Sequence, residues 1–128
     1  MVQFSGGQAP AGFNPGNPYN SNDPTRNYHP FLAQKVINKL KEKYKDLKIL
    51  NFSLPNEPKY EQTEKPELMP FAQWHEILKL PNCKGFISVD SCLNHFARSA
   101  GRKGVVIWGG TRWTQFGYKQ NINVNNWW

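Results

Sequence analysis

Apolar and polar positions along the chain alternate between two kinds of segment. Short apolar runs, bounded by glycine or proline, read as strands: Val2–Ser5, Leu47–Ser53, Gly85–Asp90 and Gly104–Trp108. Between them lie longer stretches of helical period. One starts near His29–Pro30 and runs to about Lys45, with apolar residues at Leu32, Val36, Ile37, Leu40 and Tyr44. Proline suits the first helical position because its missing N–H has no partner there. A second helix is predicted over Pro70–Leu78 and a third over Ser91–Ala100, closed by Gly101. The order is β-α-β-α-β-α-β. Nearly continuous apolar strands indicate a parallel sheet covered on both faces, with right-handed crossovers. The expected fold is a single α/β domain over residues 1–128, Rossmann-like and three-layered, with about four parallel strands.

Two segments do not fit the alternation. Residues 8–28 form a polar stretch with four prolines; so long a loop is expected either to serve a function or to lack fixed structure. Residues 112–128 are rich in Asn and aromatics and end in Trp127 and Trp128, which could pack on the domain itself or against a neighbour.

Composition narrows the class. The chain has 128 residues and a formal net charge of +7, enough length for one core. Six of its lysines (Lys35, Lys39, Lys41, Lys43, Lys45 and Lys48) fall on or just after the first helix. A solvated helix face accounts for them, and no RNP, zinc-finger or helix-turn-helix pattern makes a nucleic-acid partner of this charge. No apolar run approaches the ~20 residues of a membrane span, and the N-terminus has no secretory pattern. Cys83 and Cys92 form neither a disulfide framework nor a zinc pair. They read as reduced thiols of a cytoplasmic protein. No cofactor or metal is expected.

In a parallel sheet, ligands sit beyond the carboxyl ends of the strands. Three such ends carry suggestive residues: Ser5, Gly6 and Gly7; Asp90 and Ser91, which open a helix; and Gly109, Gly110 and Thr111. Glycine lets backbone N–H groups approach a ligand, and a helix start favours an anion. Each alone reads as an ordinary turn or cap. Together on one edge they indicate a site for a phosphate-bearing ligand. His95 lies one turn after Ser91 and shares its face. Cys92 at a helix start could have a depressed thiol pKa, or be a buried structural thiol. No Ser/His/Asp order or carboxylate pair assigns a catalytic residue.

The run Phe86-Ile-Ser-Val-Asp-Ser-Cys-Leu-Asn-His-Phe-Ala97 resembles the V-D-[ST]-G-x-x-H-x-[AT] signature of the ADP-heptose heptosyltransferases, glycosyltransferase family 9. Val105–Thr111 is similar to that family's apolar strand and G-P-T, and Phe116–Asn121 to its G-Y-G-K-N. The match covers about residues 85–121. It implies the donor-binding half of a GT-B fold. Asp90, Ser91, Cys92, Leu93, Asn94 and His95 would then face the diphosphate and sugar, with Gly109, Gly110 and Thr111 lining the same pocket. Ser5, Gly6 and Gly7 match the first strand end, Glu57 would be the ribose-binding carboxylate, and Arg26 a phosphate partner. The chain departs from the pattern at Cys92, in place of glycine, and at Gly110, in place of proline. The family's acceptor-binding half, which carries the catalytic base, has no counterpart in these residues. The expectation is therefore a non-catalytic binder of a nucleotide diphosphate, an ADP-sugar or ADP-ribose-like molecule. It could act as a sponge for a signalling nucleotide, as a small viral protein would, and self-associate through its sheet edges. The alternative is a glycosyltransferase donor subunit acting with a separate acceptor domain.

Overall fold

The structure, a computed structural model, describes residues 1–6, 27–53, 57–66, 70–110 and 112–125. Its elements in chain order are β1 (Val2–Gln3), α1 (Pro30–Lys43), α2 (Phe71–Lys79), β2 (Phe86–Val89), α3 (Cys92–Ser99), β3 (Gly104–Trp108), α4 (Trp113–Phe116) and β4 (Ile122–Asn125). The strands form one parallel sheet in the order β1-β2-β3-β4. The expected α/β fold with a four-stranded parallel sheet is present.

One strand differs from expectation on each side. Leu47–Ser53 is not a strand of this sheet; it makes single parallel bridges, Val2 to Asn51 and Leu50 to Glu64. The fourth strand is β4, within the Asn- and aromatic-rich tail. The bridges still fix where residues 49–52 lie. Val2 donates its N–H to Leu50 O and accepts from Phe52 N, both at 2.8 Å. Met1 O, one residue earlier and so on the opposite edge, accepts from Ile87 N of β2 at 3.0 Å. The spatial order is therefore residues 49–52, β1, β2, β3, β4. From β1 the chain moves outward first, then crosses back to β2.

The side-chain alternation of the strands builds two apolar layers. Val2, Phe4, Ile49 and Ile107 pack with Ala33 and Ile37 of α1. Phe86, Val106 and Trp108 pack on the other face with Trp74 and Leu78 of α2 and Leu93 and Ala97 of α3. The buried stripe of α1 is Ala33 and Ile37, flanked by Val36 and Leu40. Leu32 and Tyr44, expected in it, are exposed. Lys35, Lys39 and Lys43 are exposed as a solvated face predicts, whereas Lys41 donates to the Lys45 and Leu47 carbonyls beyond the helix end.

Gly101, at φ +72°, follows α3 in the left-handed conformation that glycine adopts without penalty. Gly104 is constrained by space instead: a Cβ there would lie 2.3 Å from Phe86 O and 2.5 Å from its ring. Gly104→Ala is expected to lower stability by about 2–3 kcal/mol through forced separation of β2 and β3, seen as a reduced urea midpoint.

Candidate functional site

Because the strands are parallel, the segments that follow them meet on one edge. Ser5 and Gly6 follow β1, Asp90 and Ser91 follow β2, and Gly109 and Gly110 follow β3. Adjacent strands stand about 5 Å apart, so these three ends form a continuous rim. Glu57 follows the 49–52 segment and is buried. Gly7, Arg26 and Thr111 lie outside the described residues.

The direction in which the sheet is wound changes at β1, which has the 49–52 segment on its outer side and β2 on the other. This is the position where an open α/β sheet leaves a crevice, since the helices on its two sides diverge. Here α1 leaves on one face, and α2 and α3 cover the other.

The side chain that ties the rim together is Gln3. Its Oε1 accepts from Leu93 N at 3.1 Å, and its Nε2 donates to Ser91 Oγ at 3.0 Å and reaches Cys92 Sγ at 3.7 Å. Ser91 is the N-cap residue of α3, but its hydroxyl makes no capping bond. Gln3, 90 residues away in sequence, supplies the acceptor that a capping serine normally offers. Gly6 is held in the same manner, its N–H donating to Asn27 Oδ1 at 2.8 Å. Two of the amides that could meet a diphosphate are thus already bonded to neutral side-chain oxygens. A ligand must exchange with Asn27 and Gln3 to use them.

Other site residues expected from the sequence fall into two groups. Leu93 and Asn94 point inward. Leu93 belongs to the core beneath α3, and Asn94 Oδ1 accepts from Asn121 Nδ2 at 3.1 Å, with its own Nδ2 buried and unpaired. Their side chains serve packing, and only their backbone borders the rim. His95, by contrast, is exposed. Its Nδ1 lies 2.8 Å from Tyr118 Oη, the rings meeting edge to face at 5.7 Å, and the Arg98 guanidinium sits 5.7 Å from the Tyr118 ring. Cys83 and Cys92 are free thiols. Among the described residues no cluster of His, Cys, Asp and Glu could hold a metal ion, and no helix is long and apolar enough to cross a membrane.

On the α1 side, Tyr60 packs edge-on against Phe4 at 5.6 Å, and Phe4 stacks on Tyr28 at 5.9 Å. Glu57 acts electrostatically on both Tyr60 and Lys65. Desolvation holds the Lys65 ammonium below its usual value, opposed by Glu57. A shallow depression of about 390 Å³ lies elsewhere, against Ala72, Gln73, Glu76 and Ile77 of α2, and contains none of the rim residues.

Gln3, Asn27 and Tyr118 are the site contributors that sequence reasoning missed. Gln3 carried a signal: one polar residue between Val2 and Phe4 in a buried strand needs a partner.

No protein-family model matches the chain, and no curated protein or solved structure matches it.

Among the described residues the buried Tyr60 hydroxyl has no hydrogen-bond partner. Burial, reinforced by Glu57, pushes its pKa from 10 up to about 12. The folded state thus keeps this proton longer than the unfolded chain. The associated stability is complete below pH 10 and is lost as pH rises from 10 to 12. Tyr60→Phe, which removes an unpaired group, should hold neutral stability within about 1 kcal/mol. It should also fall less steeply than wild type in a melting series across that alkaline window.

Proposed function

We propose that the chain binds a nucleotide diphosphate, an ADP-sugar or an ADP-ribose-like molecule, at the rim beyond β1 and β2, and holds or sequesters it without transferring its sugar. The observation that carries this reading is the change of winding direction at β1, which has the 49–52 segment on its outer side and β2 on the other, and which brings Ser5–Gly6 after β1 beside Asp90–Ser91 at the start of α3. A helix start attracts an anion through its dipole and through N–H groups outside the helix's own ladder, here the Leu93 N–H once Gln3 releases it, and the net charge of +7 favours the approach of a polyphosphate. The resemblance of residues 85–121 to a donor-binding motif supports the same ligand class. On this reading Asp90 accepts from sugar hydroxyls, and His95, steadied by Tyr118, donates to the diphosphate. Glu57, on the α1 side of the rim, would take the ribose hydroxyls. Binding of this kind asks for complementary donors and acceptors and for no catalytic base.

Calorimetric titration with ADP, ADP-heptose, ADP-ribose and UDP-glucose tests the proposal, with the ligand afterwards recovered for mass spectrometry. The adenine diphosphates should bind and return intact. Asp90→Ala, His95→Ala and Thr111→Val should each weaken binding about tenfold, the loss of one hydrogen bond to a charged group. Absence of binding, or three folded variants with wild-type affinity, would contradict the site. A cleaved donor would replace sequestration with transfer.

A further inference from the structure

Phe71 is the first residue of α2, and α2 begins at the same edge of the sheet as the candidate site. The residue is 62% exposed, yet its ring is not isolated. The ring centroid lies 5.3 Å from that of Phe96 and 6.4 Å from that of Phe52. Phe52 is buried and packs edge-on against Trp74 at 4.5 Å. Phe71 therefore rests on the core through two rings and presents the rest of its surface to solvent. Phe96 stands one helical turn, about 6 Å of rise, beyond Cys92, where α3 leaves the rim. The aromatic surface therefore lies on the α2–α3 face, toward the end of the sheet that carries the rim.

The packing of α2 does not require an aromatic residue at this position. Buried Trp74 and Leu78 already anchor the helix. A phenyl ring kept largely in water forgoes part of the burial that a core position would give it. A ring kept exposed beside a polar rim has the character of a contact surface. Its size selects the occupant. A protein partner of ordinary affinity covers about 800 Å² on each side, far more than one ring offers, whereas a single heterocycle fits it. Phe31 is equally exposed and opens α1 on the other face, where the Lys35 ammonium stands 4.6 Å from its ring centroid in a cation–π contact. Among the described residues no such cation sits over Phe71.

We infer that Phe71, backed by Phe52 and Phe96, is the stacking platform for the nucleobase of the bound diphosphate, an assignment that rests on the binding reading above. Stacking on an aromatic face tolerates different bases, and a purine, with the larger π surface, gains most from it.

The test is calorimetry with ADP and with inorganic pyrophosphate on wild type, Phe71→Ala, Phe71→Leu, Phe71→Trp and Phe31→Ala, alongside melting curves. Phe71→Ala should weaken ADP binding by about 5- to 150-fold, the range of one base stacked on one aromatic ring, and leave pyrophosphate binding unchanged. Phe71→Trp should retain ADP affinity, and Phe31→Ala should match wild type. Phe71→Leu keeps the apolar bulk and removes the π face. It should lose ADP affinity even if the alanine variant is destabilised. Wild-type ADP affinity in Phe71→Leu, or equal losses for ADP and pyrophosphate, would overturn the stacking role while the binding reading stands. Wild type that binds neither ADP nor pyrophosphate would overturn both.

Discussion

The architecture depends on how two residues of β1 divide their bonds. Val2 spends both backbone groups on Leu50 and Phe52, while the neighbouring peptide positions face β2. Gln3, directed to the other face of the sheet, then fastens the start of α3 with both ends of its amide. One short strand thereby sets the lateral order of the sheet, the point where that order reverses, and the height at which α3 begins. A neutral amide suits this position. It satisfies a helix N–H and a buried hydroxyl together, where either left alone would cost about 1–3 kcal/mol.

On the proposed binding reading, the same bonds set the terms on which a ligand would enter. The Gly6 and Leu93 amides are occupied by Asn27 and Gln3. Exchanging a neutral acceptor for a phosphate oxygen replaces an ordinary hydrogen bond by a charge-assisted one, about twice as strong. The gain at each amide is therefore the difference between two bonds. Affinity beyond that must come from groups whose bonds form only with the ligand in place, which gives weight to the rim's exposed His95 and to an aromatic contact outside the polar rim. On the same reading the lysines of α1 would add long-range attraction for a polyphosphate, screened over roughly 8–10 Å at physiological salt.

Much of this was legible in the sequence wherever local pattern and tertiary role agree. The three long helices and the strands β2 and β3 are marked by their own apolar spacing and bounded by Pro30, Pro70, Gly101 and Gly104. The two errors have one cause. Leu47–Ser53 has strand composition, but it meets β1 only around Val2 and Glu64 only through a bridge, so pairing stops short of a full strand. Ile122–Asn125 has weak strand composition, yet it is paired along its length with β3, and Asn123 accepts from the Trp108 indole at 2.9 Å. Pairing partners decide edge strands, and partners distant in the chain leave no local trace. The site follows the same rule. Asp90, Ser91, Gly109 and Gly110 could be placed because strand ends are visible in the pattern. Gln3, Asn27, Tyr118 and Phe71 matter through contacts made only in the fold.

The proposed ligand site lies at the carboxyl ends of β1 and β2. Backbone-amide NMR during an ADP titration addresses it most directly, because each rim residue reports separately. The account predicts that the largest shifts fall on Gly6, Asp90, Ser91 and Leu93, as Asn27 and Gln3 give up their amides, while Lys35, Lys39 and Lys43 stay still. Shifts centred on the α1 lysines or on the outer side of α2 around Ala72 and Ile77, with the strand ends unmoved, would contradict it.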